Sequence, residues 1–283
     1  MKMIVLKAVT ATAFCIMAGD VSASPITFNT ALPLSEDELL LRSLLIINKQ
    51  SSDGAQVDES VTSYTVQSVA GYGITPRLAV FGILPTRYID RELSSNQQND
   101  FGIGDAELFA RFELLRLDGQ GRTFRISPFA GIRVPSGEEG ETGDGSTDYF
   151  GGLILTSASI KGNFDAQIRW NVNGEHGGFD RGNSISFDAS YQKRLLPSEI
   201  TTSTKGFFFG VLEANVTYSE QNQFGGIDDV NSGGTQVSIT PGLQYTARRW
   251  VADLGIKIPL INDTNGALLE ADYSLFAGMR FNF

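Results

Sequence analysis

Apolar and polar side chains alternate one for one along most of this chain. In the run FDAQIRWNVN, which begins at Phe164, the apolar Ile168 and Trp170 alternate with the polar Asp165 and Arg169. A period of two residues predicts a β-strand with one apolar and one polar face. An apolar core and a water-filled lumen both produce this pattern, with opposite faces turned inward. The rest of the chain has to decide between them.

The same alternation recurs in about twelve segments, each near or above the roughly 9 to 11 residues that a tilted strand needs to cross a bilayer. The predicted strands span residues 39–49, 61–74, 77–88, 103–116, 123–134, 148–160, 164–172, 184–196, 207–218, 235–246, 250–261 and 268–283. Pro128, Pro241 and Pro259 fall within them, and each removes a hydrogen bond from the sheet. We therefore expect β-bulges at these prolines.

The connections between the predicted strands fall into a short and a long class. The short links include TPR, LDGQGR, KGN and ARR, and the long polar ones include QSSDGAQVDES, PSGEEGETGDGST and SEQNQFGGIDDVNSGG. Only PSEITTSTKG is longer than its class predicts. Short turns at one end and long loops at the other are typical of an outer-membrane barrel, whose long loops lie outside the cell. In such a barrel the polar face of each strand is the interior one.

The first residues have the pattern of a cleaved secretory signal. Lys2 and Lys7 precede the apolar run AVTATAFCIMAG, and the small-residue sequence VSA ends at Ala23. We expect a signal peptide over residues 1–23, an N-terminal periplasmic segment over 24–38 and a transmembrane barrel over 39–283. Cys15 lies in the signal, so the mature chain has no cysteine and must derive its stability from sheet closure and packing.

The predicted fold is all-β: a single antiparallel up-and-down transmembrane β-barrel in the cell outer membrane. Its expected partners are outer-membrane lipid and lipopolysaccharide, the barrel assembly machinery and a small-molecule solute. The formal net charge of −10 argues against nucleic acid as a partner. The last strand ends in an apolar stripe that contains Tyr273, Phe281 and Phe283, and it resembles the signal by which bacterial barrels reach their assembly machinery.

Charged residues of both signs fall on the predicted interior faces. The candidate lumen-lining residues are Arg111, Glu113, Arg125, Arg133, Asp165, Arg169, Asp188, Arg194, Glu213, Asp253, Lys257, Glu270 and Arg280. They form either structural salt bridges that fill a narrow interior or a selectivity filter. The interior phenylalanines Phe81, Phe129, Phe207, Phe209 and Phe276 form either a path for an aromatic solute or ordinary packing.

No residue pattern predicts catalysis, a cofactor or a metal. The single histidine, His176, stands in NGEHGG, which lacks the His-x-Ser-Asn-Gly run typical of outer-membrane phospholipases. The acidic run GEEGETGDGSTD does not match the spacing of an EF-hand loop, so a solvated acidic loop is the favoured interpretation.

Several stretches resemble one family of bacterial outer-membrane β-barrel transporters, described as meta-pathway phenol-degradation proteins. They are ITFNTALPLSEDE, GYGITPRLAVFGILP, GIGDAELFARFEL, PFAGIRVPSGE, FDAQIRWNVN, NSGGT with PGLQY following, and NGALLEADYSLFAGMRFNF. The loop after Pro135 is more compact than in the family. The resemblance implies a Gram-negative outer-membrane barrel that passes hydrophobic or aromatic compounds, and it supplies no catalytic or binding residue.

The leading hypothesis is therefore a passive channel or facilitator for small, hydrophobic or aromatic solutes. The alternative is a closed structural or surface-interaction barrel that acts through its extracellular loops. An outer-membrane lipid enzyme and a soluble secreted β-protein rank below these two.

Overall fold

Backbone hydrogen bonds join the strands into one closed antiparallel barrel. The computed structural model describes residues 23–52, 59–93, 96–265 and 269–283, so the predicted signal peptide lies outside the described residues except for Ala23. The wall strands are β1 (Leu39–Ser51), β2 (Glu59–Thr75), β3 (Leu78–Leu93), β4 (Asn96–Ile103), β5 (Ala106–Phe112), β6 (Leu115–Gly119), β7 (Arg122–Val134), β8 (Asp148–Ser159), β9 (Gly162–Val172), β12 (Ser184–Leu196), β13 (Gly206–Ser219), β16 (Gly234–Ala247), β17 (Trp250–Thr264) and β18 (Glu270–Asn282).

Each wall strand pairs with its neighbours in the chain, and β1 closes the barrel against β18. At the seam the amide of Phe283 donates to the carbonyl of Leu39 at 2.9 Å. The short strands β4 and β5 both pair with β3, and β5 and β6 both pair with β7. These three segments together count as one strand of the wall, so the barrel has twelve wall strands. The predicted fold class is confirmed.

The polar face of each strand is the interior one, as the alternation predicts for a barrel in lipid. On β9, Trp170 is 59% exposed on the outer surface, whereas Asp165 is fully buried inside. Leu212, Leu243 and Leu254 lie equally exposed on the outside of other strands. Among the described residues, no helix has the length and apolar character to cross a membrane.

The prolines coincide with irregularities in the sheet. At Pro128, β7 changes partner from β5 to β6, and its register shifts by one residue. Pro259 lies next to a register shift between β16 and β17. The bulge expected at Pro259 is confirmed, whereas at Pro128 the irregularity is a break between the partner strands β5 and β6. At Pro241 the expectation was wrong in detail: Thr240 and Pro241 have no partner on β17, but the register on either side is unchanged. The strand predicted over residues 103–116 is accordingly broken into β5 and β6, with β4 ending at Ile103.

Short and long connections alternate around the barrel, and the turn at residues 197–205 is the one long member of the short class. The long loops at 173–183 and 220–233 add a second sheet of four two-residue strands. These are β10 (Glu175–His176), β11 (Phe179–Asp180), β14 (Gln223–Phe224) and β15 (Ile227–Asp228). The two loops therefore form one structure beyond the barrel.

The segment that precedes β1 occupies the barrel interior. Sequence analysis expects residues 24–38 to be a periplasmic segment, without placing them in the lumen. In the structure Ala23, Ile26 and Ala31 are fully buried. The chain enters at the end that carries the short turns, arches to the middle of the barrel and returns beside Gly73, whose carbonyl accepts the amide of Asp37 at 2.9 Å. We call residues 23–38 the interior segment.

Candidate functional site

Polar side chains of the wall hold the interior segment through its backbone. Glu213 on β13 accepts the amide of Ile26 at 2.6 Å and that of Thr27 at 3.1 Å. Gln244 on β16 accepts the amide of Ser24 at 2.9 Å, and its own amide donates to the carbonyl of Ser24 at 3.1 Å. A backbone that is buried without such partners loses the hydrogen bonds it would make to water. These wall residues replace those hydrogen bonds, so the segment can be buried without that loss.

The other arm of the interior segment is held in the same way. Arg111 on β5 donates to the carbonyls of Thr30 and Leu32 at 2.6 and 2.7 Å. The hydroxyl of Thr156 on β8 accepts the amide of Ala31 at 2.8 Å. Thr156 in turn donates to the buried carboxylate of Asp165. Charged wall residues at the level of the segment are thus used for positioning it.

Apolar side chains of the segment fill two clusters inside the barrel. Ala31 and Leu34 pack among Phe81, Phe109 and other wall phenylalanines, and the Phe81 and Phe109 rings stack at 4.8 Å. Ile26 packs in the second cluster, whose other members are Leu44, Val211 and Phe276. Of the interior phenylalanines in the sequence analysis, Phe129, Phe209 and Phe276 are buried away from the cavity described below, which favours packing over a solute path at these positions. Phe81 is also largely buried, but its side chain lines that cavity.

A cavity of about 810 Å³ remains beside the interior segment, within the barrel. Its lining differs between two sides. One side is largely apolar and comes from β1, β2, β3 and β5, with Leu40, Leu44, Val69, Phe81, Ile83 and Phe109. The other is polar and comes from β9, β12 and β13, with Gln167, Arg169, Asn171, Ser186, Asp188 and Asn215. The barrel thus encloses an amphipathic space of the size that ligand pockets usually have.

The predicted lumen residues fall into three groups. Those that line the cavity are Arg111, Arg133, Arg169, Asp188, Lys257 and Arg280. Those that are buried in the interior without lining it are Glu113, Arg125, Asp165, Glu213 and Asp253. The remaining two are Arg194, which lies half-buried over the Phe207 ring, and Glu270, which is exposed at the loop end of β18.

Ion pairs join several of the charged residues in the cavity wall. Arg133 contacts Glu107 at 2.7 Å and Asp148 at 3.0 Å, and Arg169 contacts Glu107 at 3.4 Å. The guanidinium of Arg169 also lies 4.1 Å from the centre of the Phe150 ring. This network forms one charged band on β5, β7, β8 and β9.

Sequence reasoning missed Glu107, which joins two of the predicted cations. Its signal was present, because Glu107 precedes the interior residues Phe109 and Arg111 by two and four positions and so shares their face. It also missed Thr156 and Gln244 as anchors of the interior segment. Uncharged polar residues on an interior face carry no signal that separates an anchor from a wetted side chain.

The long loops are joined by ion pairs and by a histidine–carboxylate contact. Arg181 contacts Asp144 at 2.5 Å and Asp148 at 2.9 Å, and His176 contacts Glu139 at 3.2 Å. The acidic run of the sequence analysis is therefore partly paired with basic side chains of the next loop. Within the described part of the chain, no three His, Cys, Asp or Glu side chains are grouped to hold a metal ion.

The residues of the predicted assembly signal lie on the outer surface of β18 and at its end. Tyr273, Phe281 and Phe283 are 37%, 40% and 65% exposed. Their recognition by an assembly machinery stays a prediction.

Comparison with known proteins gives a fold and no family. No protein-family model and no curated protein matches the chain. The crystal structure of an outer-membrane channel from Pseudomonas putida F1 matches with a TM-score of 0.68 and 10% identity, over 93% of this chain and 100% of the other. At that identity the likeness shows a shared barrel fold.

Two further solved barrels are more distant. The β domain of the Bordetella autotransporter Brka has a TM-score of 0.48 and 11% identity, over 88% of this chain and 100% of the other. The CymD monoaromatic hydrocarbon channel has a TM-score of 0.40 and 9% identity, over 88% of this chain and 89% of the other. Both are too distant in structure to carry an argument about this chain.

Proposed function

We propose that this multi-pass outer-membrane β-barrel is a narrow channel or facilitator for small hydrophobic or aromatic solutes. The observation that carries the proposal is the cavity of about 810 Å³ between the barrel wall and the interior segment. A barrel that served only as a scaffold would have no need for an interior space of that size. The barrel fold shared with the channel from Pseudomonas putida F1 agrees with a channel role.

The solute class follows from the lining of the cavity. The apolar side presents Val69, Ile83 and Phe109 to the same space. Apolar walls with a few polar groups are typical of sites for apolar or aromatic ligands. The interior segment narrows the lumen, so the channel passes only small solutes, unlike a wide porin, which has an open aqueous channel.

The proposal is tested by single-channel conductance of the purified barrel in a planar bilayer, with and without millimolar phenol on one side. Discrete conductance steps that phenol blocks are the expected result. A silent bilayer, with folding established by circular dichroism, contradicts a continuous path. Conductance steps that phenol does not block would support a channel and contradict the proposal that aromatic compounds are its solute.

The second candidate is a barrel that acts through its loops. Phe224 and Ile227 of the small sheet, and Val230 in the turn after it, are 59%, 74% and 69% exposed. Apolar side chains grouped on a surface loop are typical of an interaction site. Replacing the 220–233 loop with a short Gly-Ser link separates the two functions, since conductance depends on the barrel and binding to other molecules depends on the loop.

A further inference from the structure

We propose that the cavity binds amphipathic anions, with the ammonium of Lys257 holding a carboxylate and the apolar side of the cavity holding the ring or short alkyl body. This inference rests on the proposed function and specifies its solute: a small aromatic or aliphatic carboxylate. Lys257 lies on β17 and lines the cavity.

Lys257 differs from the other half-buried or buried cations of the cavity in its lack of a direct partner. Arg42 contacts Asp253 at 3.3 Å, and Arg133 and Arg169 share Glu107. Arg111 donates to two carbonyls of the interior segment, and Arg280 donates to the hydroxyl of Ser24 at 3.2 Å. Within the described part of the chain, Lys257 has neither a hydrogen bond nor an ion pair. Its charge remains available to a ligand.

The nearest carboxylates are already occupied by other donors. Asp188 accepts the side-chain amides of Asn215 at 2.8 Å and Gln167 at 3.3 Å. Glu213 is held by Ile26, Thr27 and Ser190. Both carboxylates attract Lys257 through space without contacting it. A bound carboxylate provides the close acceptor that the wall does not.

Lys257 stands at the edge of the apolar side of the cavity. Its ammonium lies 6.0 Å from the centre of the Phe276 ring. Phe276 packs with Leu44, and Leu44 and Val69 both line the cavity. Apolar side chains of the cavity wall, with Gln67 opposite Leu44, thus lie on the same side as a cation that has no hydrogen bond or ion pair within the described residues. A molecule with an anionic end and an apolar body matches both features at once, whereas a neutral hydrocarbon would leave the charge without a partner.

The test compares two ligands that differ in charge and little else, benzoate and benzyl alcohol, by calorimetry on the full-length barrel in detergent. We expect benzoate to bind at least about ten-fold more tightly, because the hydrogen bond to a charged group forms away from bulk water. In Lys257→Gln the preference disappears, and the affinity for benzyl alcohol stays the same. Arg249→Gln is the matched control, since Arg249 is exposed and lines the mouth of the same cavity. It keeps the preference for benzoate.

Three results would overturn the inference: equal affinity for both ligands in the wild type, a preference that survives in Lys257→Gln, or one that Arg249→Gln removes equally. Circular dichroism and the heat-dependent gel shift establish that each variant is folded. Conductance in a bilayer is measured on the same samples. A barrel that conducts ions and shows no preference for benzoate refutes the anion site and leaves the channel in place. A silent barrel that prefers benzoate through Lys257 supports the site and refutes the channel.

Discussion

Glu213 accepts both the backbone amide and the hydroxyl of Thr27, at 3.1 and 2.5 Å, so one wall carboxylate takes both polar donors of a single residue in the interior segment. Glu213 belongs to the barrel wall and Thr27 to the interior segment, so this contact holds the segment directly against β13. Their contact fixes the distance between them.

Weakening that contact should widen the channel. In Glu213→Gln the negative charge that attracts the amides of the segment is lost, and an NH2 donor replaces one of the two acceptor oxygens. Hydrogen bonds to charged groups contribute about 1.5–3 kcal/mol each, so the segment should leave its position part of the time. We expect larger and noisier conductance in single-channel recordings. Glu270→Gln, at an exposed position on β18, should conduct like the wild type. Unchanged conductance in Glu213→Gln would mean that the segment does not restrict ion flow.

The exit of the interior segment is sensitive to a single methyl group. A Cβ atom added to Gly73 would lie 1.9 Å from the carbonyl oxygen of Ser35, so the backbone of the segment would have to move. We expect Gly73→Ala to lower the free energy of unfolding by about 1–3 kcal/mol, the usual cost of overpacking. Gly82→Ala is the matched control, because its Cβ would lie 3.5 Å from the nearest atom, Cδ2 of Leu108. Denaturant titration in lipid vesicles measures both, and equal effects would show that the segment does not press on β2.

The buried ion pair of Arg125 and Glu113 should contribute more to the free energy of unfolding than the exposed pair of Arg116 and Asp118. Both of its side chains are at least nine-tenths buried, and Arg125→Met leaves Glu113 charged and without its cation. We expect a loss of about 3–5 kcal/mol in the free energy of unfolding. Arg116 and Asp118, on β6, are about half-exposed, so Arg116→Met should cost about 1 kcal/mol or less. The double variant Glu113→Gln with Arg125→Met should recover part of the loss, and a loss equal to the sum of the single variants would contradict a direct pair.

The long loops should face the outside of the cell. A peptide tag can be inserted between Gly225 and Gly226 without a clash, because a Cβ atom added to either glycine would have no neighbouring atom within 4 Å. We expect antibody to bind this tag on intact cells. A tag inserted in the turn at 197–205 should bind antibody only after the outer membrane is permeabilised. The reverse pattern would invert the orientation of the barrel.

Much of the barrel could be predicted from local sequence because each strand carries its own signal. Alternation predicts β9 and its two faces without knowledge of the neighbouring strands, and the alternating loop lengths then indicate that its apolar face meets lipid. The division of one wall strand into β4, β5 and β6 was harder to predict from the sequence. Pro128, which prompts a bulge, lies on the partner strand β7, so the break in one strand has its cause in another.

The interior segment could not be predicted from its own residues. It has no regular period, and the residues that hold it, such as Glu213 and Gln244, are far away in the sequence. One distant signal exists. Gly73 and Gly242 stand on interior faces, where a small residue leaves room for another chain, and a Cβ at Gly242 would lie 2.5 Å from Ile26 Cδ1. These two interior glycines therefore mark positions where the segment passes close to the wall.

The seam between β1 and β18 has a consequence for the order of folding. The strand that follows the interior segment must find its second partner in the strand made last, so the cylinder cannot close until every other strand is in place. The partners of Ile26 and Ser24 on β13 and β16 are likewise made late. Until then the wall can hold only the second arm of the segment, through Arg111 on β5 and Thr156 on β8, and once the seam forms the segment is connected directly to a closed wall. Enclosure of the segment and completion of the cylinder are thus one cooperative event.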